Sequence, residues 1–72
     1  MTDIELLKKK IADTGMTMVA ISQKTGILRE TLYNRLNGKG EFTASEIVAL
    51  SKILQLKVDE WERIFFNEKV EW

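Results

Sequence analysis

The sequence predicts an all-α domain built from five short helices. Three observations carry that prediction. Apolar residues recur at helical spacing in five separate runs, from Ile4-Leu7-Ile11 at one end to Val58-Trp61-Phe65 at the other. Thr2, Thr17 and Thr43 stand as N-caps before three of the runs, two of them in the capping-box form Thr-x-x-Glu. Proline is absent, and the four glycines (15, 26, 38 and 40) fall between the runs.

Each element follows in order. Thr2-Asp3-Ile4-Glu5 reads as a capping box, with Thr2 as the cap and Glu5 reaching back, and Leu6 joins the stripe behind it. The first helix therefore spans about 3–13 and stops at Gly15. Thr17 caps a second helix that runs to Lys24 or Thr25, where Gly26 supplies a turn position free to take positive φ. A third helix spans about Leu28 to Leu36 and is closed by Asn37-Gly38. Thr43-Ala44-Ser45-Glu46 is the second capping box. It opens a fourth helix over about 44–54, with Ile47, Leu50, Ile53 and Leu54 apolar. Val58, Trp61, Ile64 and Phe65 mark a fifth helix over about 58–67. Phe66 follows Phe65 directly, so the two point different ways. Residues 1–66 form one domain, with the two-helix unit over about 18–37, and residues 67–72 form a C-terminal tail. Lys69-Val70-Glu71-Trp72 alternates polar and apolar, which fits a short extended strand or a frayed end.

Composition removes several kinds of chemistry. Seventy-two residues hold one core. The chain has no Cys and no His, so thiolate and Ser-His nucleophiles are excluded. A zinc site would have to rest on carboxylates alone. No Gly-rich phosphate loop is present, and helical periodicity scatters Asp59, Glu60 and Glu62. The expectation is a protein that is not an enzyme, with no catalytic residues, metal, cofactor or small-molecule substrate. The N-terminus is charged and no apolar run is long enough to span a membrane, so a cytoplasmic protein with no membrane partner is expected. Net charge is zero, yet unevenly spread. Residues 18–40 carry Lys24, Arg29, Arg35 and Lys39 against Glu30, whereas residues 41–72 carry seven acids against four bases. That is a modest basic patch, not a strongly basic face. Lys8-Lys9-Lys10 reads as a solvated face.

Ser22 to Gly38 has the outline of two helices joined by a Gly-containing turn, the arrangement that places a second helix in the DNA major groove. Ser22, four residues before Gly26, is small enough for the second helix to approach closely. Ile27 and Leu32 face the core in that arrangement. Arg29, Glu30, Tyr33, Asn34 and Asn37 lie on the open side.

On these residues the chain resembles the phage repressor and Cro-like helix-turn-helix domains over 17–61. Ile21-Ser22 stands for the usual Leu-Ala, Gly26-Ile27 for Gly-Val, Thr31-Leu32 for Thr-Ile, and Leu36-Asn37-Gly38-Lys39 closes the motif. Ile53-Leu54-Gln55-Leu56 is similar to the family's Ala-x-x-Leu-Gly-Val, followed by the acidic Asp59-Glu60-Trp61. The length and the Ile64-Phe65-Phe66 ending are similar to the modulator-of-repression proteins of temperate phages. The resemblance implies a compact lambda-repressor-like fold and a regulator of a phage lysis–lysogeny switch in a bacterial host.

Departures from the family pattern, all but the last of them, weaken the case for tight DNA binding. Met18 stands where Gln often contacts phosphate, Val19 and Ala20 stand at usually polar positions, and Leu28 replaces a Ser cap. Glu30 occupies a base-reading position, where a carboxylate is repelled by phosphates unless it accepts from a cytosine amino group. Arg35 stands where the family commonly has an apolar residue. Met18, Val19 and Leu28 add apolar surface beside the turn, which suits a protein partner. The expected function is antirepression by direct binding of the lysogeny repressor. In it Arg29, Glu30, Tyr33, Asn34 and Asn37 contact the partner around the apolar Met18, Val19 and Leu28. Lys24, Arg35 and Lys39 would meet acidic groups. The alternative is a Cro-type repressor that reads operator DNA with helix 28–36, with Lys24, Asn37 and Lys39 on phosphates.

Overall fold

A computed structural model describes residues 2–66. It contains α1 (Ile4–Thr14), α2 (Met18–Thr25), α3 (Arg29–Leu36), α4 (Ala44–Ile53) and α5 (Val58–Phe65). No strand occurs among the described residues. The expected extended tail at 67–72, Trp72 included, lies outside them.

The caps explain the boundaries. α1 starts one residue later than expected. Its cap is Asp3, whose carboxylate accepts from Leu6 N–H at 3.1 Å. The Thr2–Glu5 capping box does not form: with Asp3 as the cap, the third helical position falls on Leu6, which has no polar side chain to reach back, and the Asp3 N–H bonds the Ile64 carbonyl at 2.6 Å. Gly15 closes α1 at φ 72. Thr17 caps α2 through its hydroxyl, which accepts from Ala20 N–H at 3.1 Å. The capping box of α4 forms as expected. Thr43 Oγ1 accepts from Glu46 N–H at 3.2 Å, and Glu46 Oε1 accepts from Thr43 N–H at 2.9 Å.

α4 ends in a Schellman turn: Leu56 N–H donates to Ser51 O at 2.9 Å and Gln55 N–H to Lys52 O at 3.2 Å. Gln55 takes the left-handed position at φ 53, where no other non-glycine residue among those described is found. It stands where the similar family has glycine. α5 has no side-chain cap, but Glu60 Oε1 accepts from the Lys57 N–H at 3.1 Å.

The core comprises Leu7, Ile11, Ile21, Ile27, Leu32, Leu36, Phe42, Leu50, Ile64 and Phe65. α1 packs on α5, and α2 packs on both α3 and α4. Phe42 and Phe65 meet edge to face, with ring centroids 5.6 Å apart. Phe65 is buried and Phe66 turns outward onto Trp61 at 5.7 Å, which resolves the adjacent pair. Val58, expected in the buried stripe of α5, is instead 62% exposed. It is the first residue of the helix, and helical side chains lean toward the N-terminus, so it projects off the packed end.

Candidate functional site

The turn between α2 and α3 holds itself together. Ser22 Oγ donates to Ile27 O at 2.5 Å, Thr25 Oγ1 donates to Ile21 O at 2.7 Å, and Ile27 N–H donates to Thr25 Oγ1 at 3.2 Å. Gly26 sits at φ 78 with its N–H on Ser22 O. A residue with a Cβ is disfavoured at that angle, which is why a glycine stands at the corner. The polar groups of the corner thus find partners within it and leave the flanking side chains to face outward.

α3 is anchored by Ile27, Leu32 and Leu36, all buried. Arg29, Glu30, Tyr33, Asn34 and Asn37 are exposed, and their spacing sets them on one side of the helix. The sequence places this face correctly. Asn37 ends α3, its N–H reaching Tyr33 O at 3.0 Å, and Gly38 follows at φ 80. Lys39, exposed in the loop, is held by its N–H on Asn34 O at 2.8 Å.

The apolar set divides. Leu28 is 72% exposed and Val19 is 44% exposed. Met18 packs partly against the core and contributes less open surface. Leu28 occupies the cap position of α3 and makes no side-chain capping bond, so α3 begins at Arg29. Lys24, in the last turn of α2, is exposed at the edge of a groove that it shares with Ala44, Ser45 and Val48 of α4.

Arg35 is placed differently from the other cations. Its Nε donates to Glu46 Oε1 at 3.3 Å, and the two side chains are only 22% and 16% exposed. The acidic group that meets Arg35 in this structure belongs to its own chain. In the sequence Glu46 reads as the reaching residue of the α4 capping box, and nothing local signals its pairing with a residue eleven positions away. Lys10 is similarly occupied, with its Nζ 2.5 Å from Glu60 Oε2. That ammonium and the Lys57 N–H hold the Glu60 carboxyl below its ordinary value. A further groove of about 770 Å³ runs between α4 and α5 over Phe42, Ile47, Leu56 and Trp61, with Lys52 as its one charged lining residue among those described.

Among the described residues, no group of three or more His, Cys, Asp or Glu side chains converges to hold a metal. No described helix is long and apolar enough to cross a membrane. Comparison with curated proteins and with solved structures gave no match. A helix-turn-helix family model matches residues 7–61, from the middle of α1 into α5. With that span and with the α2–turn–α3 geometry above, the chain belongs to the helix-turn-helix family of DNA-binding transcriptional regulators.

Proposed function

We propose that the chain is a regulator of a phage lysis–lysogeny switch that counteracts the lysogeny repressor by binding it directly, as a modulator of repression. The observation that carries this reading is Leu28. A large apolar side chain, 72% exposed, stands at the front of α3 where a hydroxyl would both cap the helix and suit a phosphate backbone. Exposed Val19 adds to it, and exposed Glu30 in the first turn of α3 opposes phosphates. An apolar centre bordered by Arg29 and Glu30 has the composition of a protein interface, in which the charges set register and association rate. Glu30 would face a basic residue that the repressor otherwise turns to DNA. Arg35, engaged with Glu46, is not counted among the contacts.

The second reading is a Cro-type repressor. It is favoured by the family match and by the exposure of Arg29, Tyr33 and Asn34, side chains able to reach base edges, with Lys24 and Lys39 at the margin. One titration separates the two. Purified protein is added to labelled switch-region DNA at low and physiological salt, alone and with the repressor. Antirepression predicts no shift of DNA by the protein alone at physiological salt, and loss or alteration of the repressor's shift. A sequence-preferring shift by the protein alone, with the salt slope of phosphate neutralisation, establishes the Cro-type reading instead.

A further inference from the structure

Arg35 and Glu46 form a bond between the recognition helix and the helix that follows it. Glu46 Oε1 accepts from two donors at once, the Arg35 guanidinium at 3.3 Å and the Thr43 N–H at 2.9 Å. The same carboxylate therefore caps α4 and holds α3. Gly40, at φ 79, closes the assembly from the loop side, because a Cβ at that position would run into the Arg35 guanidinium. Leu36 and Phe42 are buried on either side of this loop. Half-buried charge pairs with shared hydrogen bonds are costly to leave incomplete, and a two-donor carboxylate admits few arrangements of the helices that carry the donors.

We infer that Arg35 and Glu46 are positioning residues: the pair fixes the direction in which α3 presents Arg29, Glu30, Tyr33 and Asn34, and so sets binding specificity without touching the partner. This rests on the reading that α3 is the contact face. It gives Arg35 a role that its sequence position, on the recognition helix and positively charged, disguises as direct contact. The two roles make opposite predictions for Glu46. If Arg35 touched the partner, removing the Glu46 charge would free it and binding would hold or tighten. If the pair positions α3, removing either charge loosens the face and binding weakens.

The test uses Glu46→Gln, Arg35→Met, the double variant and Arg35→Lys. Glutamine retains the oxygen that both donors share, so the cap survives while the ionic attraction to Arg35 is lost. Methionine retains much of the arginine stem. Binding to switch-region DNA and to purified repressor is measured well below the unfolding temperature of each variant, with hydrogen exchange of the free protein alongside. Glu46→Gln and Arg35→Met should each weaken binding about tenfold, and the double variant no more than either, since both remove one interaction. Arg35→Lys should recover part of the loss. Amides of residues 32–36 should exchange faster in Glu46→Gln and Arg35→Met while those of α1 stay unchanged. Unchanged or tighter binding by Glu46→Gln overturns the inference, and so do additive losses. If the wild-type protein binds neither probe, the assignment of α3 as contact face falls. The pair is then judged by exchange alone, and unaltered α3 amides overturn it.

Discussion

Lys10 of α1 and Glu60 of α5 are bonded across fifty residues of sequence, Nζ to Oε2 at 2.5 Å. The other carboxylate oxygen of Glu60 accepts from the Lys57 N–H, so both oxygens are occupied. Together with the Asp3 N–H on the Ile64 carbonyl, this closes the first helix onto the last.

The bond makes stability depend on acid. The Glu60 carboxyl lies below its ordinary 4.5, first because Lys10 donates to it and then because Lys57 N–H does. A carboxyl depressed in the folded state stabilises the fold above its unfolded pKa, and that contribution disappears as pH falls through the folded value. Urea unfolding between pH 7 and pH 3 should therefore show a loss below about 4.5 that Glu60→Gln diminishes. An identical acid slope in the variant would remove Glu60 as its source.

Leu32 and Leu50 are both fully buried, one on α3 and one on α4. Truncating either to alanine removes packed methyl groups and leaves a cavity, at a cost of about 2–5 kcal/mol. Thermal or urea unfolding followed by circular dichroism measures this directly. A loss under about 1 kcal/mol would mean that the site collapses around the gap.

Arg29→Ala and Glu30→Ala should leave the helical circular dichroism signal and the unfolding midpoint nearly unchanged, since both side chains are exposed. Both should impair the repressor response or the DNA shift, whichever the titration has shown. Full binding by both variants would exclude the front of α3 from the contact.

Leu28→Ser separates stability from binding in a single variant. Leu28 holds the cap position of α3 without a capping bond, so serine should stabilise the domain by about 0.5–2 kcal/mol. Under the antirepressor reading the same change should weaken binding to the repressor, because an exposed apolar anchor is lost. A variant that is more stable and binds DNA more tightly would favour the Cro-type reading.

Most of the fold was written in local signals. Thr17, Thr43 and Gly26 each act within a few residues of themselves, and their elements fall within a residue or two of the expected bounds. The exposed face of α3 was equally legible, because helical spacing from Ile27 and Leu32 fixes which side remains open. Asp3 shows where local reading stops. Its N–H bonds a carbonyl sixty-one residues away on α5, a partner that no window around Thr2 contains. Arg35 shows the same limit within the site. Its charge and its place on α3 suggested an outside partner, whereas Glu46 meets it from the next helix. Local spacing specifies elements and faces; tertiary partners decide which charges remain available.

Gln55 holds a left-handed backbone angle at the exit of α4, φ 53, that a residue with a Cβ adopts at a cost of about 1–2 kcal/mol. Glycine would relax there, with part of the gain returned through its greater freedom in the unfolded chain. The present sequence thus leaves thermal tolerance unclaimed at a position remote in sequence from α3, and a single exchange, Gln55→Gly, should raise the melting temperature without altering what the domain recognises. Such a variant would be a sturdier starting point on which weakening changes at Leu28 or Arg29 could be borne.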